Sequence, residues 1–501
     1  MNLNPAAKPE ARIFPLPLVS LTLVFLALPL VIFFYGWLKP IYALLAVAPI
    51  LFCGWRLLRE WPVECGSFQL REIGLVTAAS FALTAFVGIG AFGFQDDDWI
   101  KHNAVLFDCV NLPWPVYLSD GSTSWALVYY LAYYLPAAVV GKIGGYAAAQ
   151  VALWAWSGGG VTLSCLWFAR LTRLPAGVVF FAFFAFSGLD FFANLLVQII
   201  GLTGNHGAIN YFPSQSWSKI WQFPSHYWML QWSPGQALVA WLSAGLFLSS
   251  PHRLRLLCLG LLVTCAGFWS PFAGIGLFLL AILFMWRERS SFSVRQFPSM
   301  LGLIFPLALM AAFYLAKVSP AVATRFGTIP VGWFFRFHYA PGPLQAVLVL
   351  PLFIVLEFGI LLWFLRARFL QGSSERNLAN ASGLALLFLL PVTVGHESDL
   401  AMRASAVPLF CLAVLLARMF FSTGLTPQLR RWLWVVVLIG NLTPLVEAAR
   451  QGHNLWIGRH DPRTVPHQVS AVIHMPMTDL LKAQYVGSTN AFFSQHLARQ
   501  Q

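Results

Sequence analysis

Apolar residues run through this chain in long, nearly continuous stretches of Leu, Phe, Val and Ala, closed at their ends by Arg, Lys, Pro or Gly. The pattern predicts spans near 14–37, 41–58, 73–93, 145–169, 176–200, 236–251, 254–269, 271–286, 300–316, 344–365, 380–395, 404–421 and 432–448. Continuous runs of roughly 17–25 apolar residues cross a bilayer as helices, whereas barrel strands read as ~10-residue alternating segments. The expected fold is therefore all-α, a polytopic transmembrane helical bundle of about 13 spans. Pro271 breaks the run Phe268-Trp269-Ser270-Pro271-Phe272, so 254–286 reads as a short hairpin.

One stretch, 124–142, is apolar enough to be a further span, and the charge pattern decides against it. Without that crossing, 18 of the 31 Lys and Arg residues fall on one side, 8 in loops on the other and 5 in the tail after the last span. Letting it cross sends every basic group from Arg170 onward to the opposite face. The excess of positive charge on cytoplasmic loops then favours an outer-face interfacial or re-entrant helix, broken at Pro136, with its four tyrosines at headgroup level. This topology places the N-terminus in the cytoplasm. Loops 94–144, 201–235, 317–343 and 396–403 and the tail 449–501 face outward, beyond a transmembrane domain spanning 1–448.

Composition agrees with the pattern. The 501 residues are 58% hydrophobic and 16% aromatic, with a mean hydropathy of +0.71, more apolar surface than a soluble fold buries. The formal charge of +13 would suit a nucleic-acid partner if it were clustered, but the basic residues stand singly or in pairs at span ends. They read as topology signals, with the lipid bilayer as partner and no nucleic acid. Seven cysteines, none in a CxxC pair, suggest neither a metal knuckle nor a disulfide framework. The first apolar run has no small-residue cleavage site before the next span and reads as a retained helix.

The candidate chemistry lies in the outer loops. Gln95-Asp96-Asp97-Asp98-Trp99-Ile100-Lys101-His102-Asn103 puts three carboxylates at the mouth of an apolar run in a chain only 10% charged. If a helix starts there, Asp97 and Lys101 are i,i+4 neighbours, as are Asp98 and His102. The acids are then either N-terminal caps or a general base or metal-binding carboxylate, with Lys101 and His102 placed to hold a phosphate. Loop 201–235 carries His226 among Trp217, Trp221, Trp228 and Trp232. These rings suit either an aromatic belt or a stacking platform for sugar rings or an isoprenoid chain. Loop 317–343 sets Arg336 and His338 among aromatics, which is either snorkelling or a phosphate site beside an apolar groove. In the short loop His396–Arg403, Glu397, Asp399 and Arg403 crowd between two spans, where Asp399 and Arg403 at i,i+4 could form a structural pair. Asp190 and Glu357, single acids within spans, rank below these.

An acidic pair at the outer end of an early span, followed by juxtamembrane helices and aromatic and basic outer loops, resembles the GT-C superfamily of membrane glycosyltransferases. Asp97-Asp98 stands where that superfamily carries its acidic pair, and Lys101-His102 echoes the basic residue that follows it. The segments Asp98-Trp99-Ile100-Lys101-His102-Asn103, His396 to Ser405, and Gln484-Tyr485-Val486-Gly487-Ser488 resemble a bacterial group of this type. Two spans precede the acidic one instead of a single span, and no Trp-Trp-Asp signature is present. The resemblance implies transfer of a sugar from a polyprenyl-phosphate or -pyrophosphate donor to an envelope acceptor at the outer face of a bacterial inner membrane. Asp98 or Asp97 would be the general base, and Lys101, His102, Arg336 and Arg403 would neutralise the departing phosphate. Mg²⁺ or Mn²⁺ on the aspartates is compatible with their hard oxygen ligands. Two other functions fit the same loops: a transporter or flippase for a lipid-linked or anionic solute, and an outer-face polysaccharide polymerase or ligase. An isoprenoid synthase does not fit, because the aspartates lack the DDxxD spacing.

Overall fold

The computed structural model of the chain describes residues 13–62, 66–200, 214–288, 296–336, 342–368, 373–395, 398–422 and 425–500. It is an all-α bundle in which eight helices are long and apolar enough to cross a membrane: Leu18–Trp37, Pro40–Glu60, Leu135–Thr172, His252–Trp269, Pro271–Glu288, Phe297–Leu315, Pro343–Arg366 and Pro427–Trp456. The chain is thus a multi-pass membrane protein. Leu70–Phe86, Pro234–Ser249, Ser373–Phe388 and Ala406–Phe420 are shorter helices at the positions of other expected spans. Apolar side chains such as Phe181, Trp286, Leu344 and Trp363 project from the bundle surface, as lipid-facing residues do.

Inside the bundle, several polar groups tie helices together, as an environment without water favours. The Trp167 indole donates to Thr22 Oγ1 at 2.8 Å and the Trp269 indole to the Leu26 carbonyl at 3.0 Å, tying the first helix to two others. Helices approach closely where a side chain is missing: Gly160 faces the Phe25 ring and Leu238.

Two expected helices are interrupted. The run 176–200 is split into Ala176–Phe184 and Asp190–Ile199, with a non-helical link between them, and the run 344–365 contains a π-helical turn over Val355–Gly359. The stretch 124–142 does not cross the bundle. Ser124–Leu127 is the central strand of a three-stranded antiparallel sheet with Tyr117–Ser119 and Val486–Ser488. At the far end of the stretch, Lys142 Nζ donates to the carbonyls of Val110 and Leu112. Pro136, expected to break a helix, instead occupies the first turn of Leu135–Thr172, where its missing N–H costs nothing. The break falls at Gly145, whose φ of 81° suits a residue without a side chain.

The segments expected to share a side touch one another. On one face Arg253 donates to the Glu60 carbonyl, Arg56 to Ser299, and Arg255 to Glu288. On the other, Lys39 donates to the His496 carbonyl, Arg325 to Asp479, and strand Val331–Trp333 pairs with Val392–Val394. The tail is stitched across this second face. Asp108 accepts from the Ala471 and Val472 amides at 2.8 and 2.9 Å, and Val486–Ser488 joins the sheet.

Candidate functional site

The acidic stretch is held in place before it does any chemistry. Gly88, at φ 92°, turns the chain out of Leu70–Phe86, and its carbonyl accepts from Gln95 Nε2 at 2.8 Å. Asn103 donates to Gln95 Oε1 and to the Thr464 carbonyl, both at 2.8 Å, and Gln451 Nε2 donates to the Phe94 carbonyl at 2.6 Å. From this buried amide frame the helix Asp98–Asn111 begins.

The three aspartates then diverge. Asp96 pairs with Arg450 at 2.6 Å, and Arg450 also holds Glu447 at 3.2 Å. Asp97 points to solvent and pairs with Arg463 of the tail at 2.8 Å. Asp98 pairs with Lys101, one turn on, at 2.6 Å, with its carboxylate about one-third exposed while Lys101 is nearly buried. Only Asp98 is among the groups whose charge acts on His102, Tyr129 and Tyr485, so it borders a buried polar cluster that Asp96 and Asp97 do not.

That cluster is built from five segments. Arg403 and Asp399 form the i,i+4 pair expected from the sequence, at 2.8 Å and nearly buried, with the guanidinium against the rings of Tyr130 and Phe272. Lys317, just past the helix Ile304–Leu315, donates to the Gln484 carbonyl at 2.6 Å. Its ammonium lies 5.8, 5.5 and 5.8 Å from the ring centres of Tyr129, Tyr130 and Tyr314. Tyr485 packs on Tyr129 with ring centres 4.6 Å apart. His102 closes the floor, with Nδ1 2.6 Å from the Tyr134 hydroxyl and Nε2 3.2 Å from the Trp232 carbonyl.

Electrostatics sort these groups. Burial, followed by the charge of Lys101, lowers His102 to about 3, so the ring is neutral with both nitrogens occupied. In that state it holds Tyr134 and carries no charge. Burial, then the neighbouring Arg403, lowers Lys317 to about 7 against the opposing pull of Asp399. Burial raises Tyr129 to about 12, which keeps its hydroxyl protonated as a donor. Three cations, Lys101, Lys317 and Arg403, thus face two carboxylates, Asp98 and Asp399. An environment with surplus cationic donors and neutral tyrosine hydroxyls suits a phosphate-bearing ligand.

Other expected site residues lie elsewhere. His226 is buried between Phe183, Phe186, Trp241 and Phe410, with Nδ1 2.9 Å from the Phe183 carbonyl, so it belongs to the bundle interior. The segment from Gln215 to Trp232, expected as an outer loop, is buried nearly throughout because its tryptophans insert between helices. Arg336 is exposed beside Phe335, apart from the cluster. His338 and Glu397 lie outside the described residues. Asp97 and Asp98 pair with Arg463 and Lys101, and among the described residues no three His, Cys, Asp or Glu side chains group to hold a metal ion.

The chain was compared with protein-family models, curated proteins and solved structures. None of them matches it.

Sequence reasoning missed Lys317, Tyr129, Tyr130 and Gln236, the last of which hydrogen-bonds Tyr129. The clue was available for Lys317, a lone cation at a span end on the same side as four tyrosines in 129–134. The flagged segment Gln484–Ser488 does reach the site, through Gln484, Tyr485 and the sheet.

Proposed function

We propose that the protein transfers a sugar from a polyprenyl-phosphate or -pyrophosphate donor to an envelope acceptor at the outer face of a bacterial inner membrane. The observation that carries this reading is the placement of Asp98. It is a partly exposed carboxylate at the rim of a buried cluster holding Lys101, Lys317 and Arg403. Asp98 takes the proton of an acceptor hydroxyl, whose oxygen attacks the anomeric carbon while the bond to the lipid phosphate breaks. The configuration inverts. The charge that develops on the phosphate falls to Lys317 and Arg403, whose burial makes their fields count for more than in water. Asp97 pairs with the exposed Arg463 and has no part in the step. No metal enters it.

The test is transfer of a labelled sugar from a polyprenyl-phosphate donor by the purified protein. Asp98→Asn should lower the rate by ~10²–10⁴, the usual contribution of a general base, and Asp97→Asn should leave it nearly unchanged. Full activity in Asp98→Asn would overturn the assignment.

A second reading, a transporter for a lipid-linked or anionic solute, is favoured by one observation. The span 176–200 is broken beside two buried carboxyls, a feature common in transporter helices. Uptake or flipping of a labelled lipid-linked solute by proteoliposomes, with no sugar transferred, would favour it over the enzyme.

A further inference from the structure

The interrupted spans meet at Asp190 and Glu357. Asp190 opens the second half of the broken span, and Glu357 lies in the π-helical turn of the Pro343–Arg366 span. Both residues are buried, and their carboxyls are in hydrogen-bond contact with each other. Each carboxyl has one outside donor. Ser187 Oγ donates to Asp190 Oδ2 at 2.7 Å, and the Trp217 indole donates to Glu357 Oε1 at 2.7 Å. The remaining oxygens, Asp190 Oδ1 and Glu357 Oε2, are buried with no other partner. The surrounding backbone is fitted to this contact. Leu189 N–H donates to the Leu356 carbonyl at 3.1 Å, and at Gly188 any side chain would overlap the Glu357 carboxyl.

Two ionised carboxylates cannot face one another in a site without water. Their repulsion adds to a desolvation cost of several kcal/mol per ion, which no cation here offsets. The charge acting on Glu357 is that of Asp190, and the two carboxyls hydrogen-bond each other. Among the described residues, the elements packed around them bring no counter-ion. The helix Pro427–Trp456 contributes the Thr443 hydroxyl, which accepts from Phe191 N–H, and its Glu447 and Arg450 pair with each other. His226 stands beyond the Phe186 ring with Nδ1 engaged by a carbonyl. One hydrogen between Oδ1 and Oε2 satisfies both orphaned oxygens at once.

We propose that Asp190 and Glu357 form a proton-binding site within the membrane, in which a single proton shared between Oδ1 and Oε2 ties the broken span to the π-helical turn. The site is separate from the Asp98 cluster and stands whichever function the outer face serves. Loss of the proton places two negative charges face to face at the Phe186–Leu189 link and drives the two spans apart. Proton binding and the position of the Ala176–Ile199 segment are therefore linked.

The test is infrared spectroscopy of the purified full-length protein at pH 8, where Asp108, raised by burial to about 6, is ionised and silent. The carbonyl stretch of a protonated carboxylic acid should be present in the wild type and lost in Asp190→Asn/Glu357→Gln. It should persist in Asp96→Asn. Should the double variant fail to fold, Glu357→Gln alone serves, because its amide can donate to Asp190 and keep the tie while removing the shared proton. Absence of the band in the wild type, or its survival in a folded variant at these positions, would overturn the proposal. Neither result bears on sugar transfer, which the Asp98→Asn assay measures separately.

Discussion

Lys317→Met removes a cation that donates to the Gln484 carbonyl at 2.6 Å and is walled in by three tyrosine rings. If Lys317 holds the donor's phosphate, the loss is that of a charge-assisted hydrogen bond, about 1.5–3 kcal/mol, or roughly 10- to 150-fold in affinity. Titration makes the prediction sharper. Burial, then Arg403, lowers Lys317 from 10.5 to about 7. In the unliganded protein the charged form is therefore disfavoured. Its cost to stability is felt below pH 7 and is relieved as pH rises from 7 toward 10.5. A bound phosphate reverses the preference, so binding draws on the protonated fraction, which falls about tenfold per pH unit above 7. A phosphate monoester is already fully ionised there, since its second pKa is about 6. Polyprenyl-phosphate affinity of the wild type, measured by native mass spectrometry between pH 7 and 9, should weaken with that slope. Lys317→Arg should stay tight and lose the slope, and Lys317→Met should be weak and flat. A wild type with no slope, or a Met variant that keeps it, would refute the reasoning.

Arg403→Met leaves Asp399 buried without its partner, a change that typically costs about 3–5 kcal/mol; thermal unfolding in detergent should show a large fall in Tm, mostly restored by Asp399→Leu/Arg403→Met. Asp108→Ala orphans the Ala471 and Val472 amides at about 1–3 kcal/mol each, so limited proteolysis of the tail should accelerate. Burial raises Asp108 to about 6, hence its contribution is fullest below pH 3.8 and is lost as pH rises through 6; the wild-type tail should resist protease better at pH 5 than at pH 7.5. For orientation, Asp120→Cys and Leu455→Cys should react with an impermeant maleimide from outside intact cells, and Ser290→Cys should not; labelling at Ser290→Cys alone would invert the topology.

What could be read from the chain was the part governed by local pattern. Apolar run length located most of the helices, because it follows from the cost of polar groups in lipid. The break at Phe186–Leu189 lay hidden within an apolar run, where nothing in the composition marks a change of backbone. The tyrosines of 129–134 were read as headgroup anchors because an amphipathic ring serves that role as readily as it lines a buried cluster. His226 was assigned outward by its place between two spans, yet neighbouring tryptophans carry its segment inside. Asp190 and Glu357 were each visible as lone acids. Their meeting is a tertiary fact, set by two helix interruptions 167 positions apart in the chain.

On the proposed function, the charges of the outer cluster bear on how Asp98 meets the donor. At rest its carboxylate is paired with Lys101 at 2.6 Å. On that reading the phosphate charge falls to Lys317 and Arg403, engaged at rest by a carbonyl and by Asp399, beside the Lys101–Asp98 pair. Three cations sharing two carboxylates leave that site a net positive charge with which to meet an anionic donor.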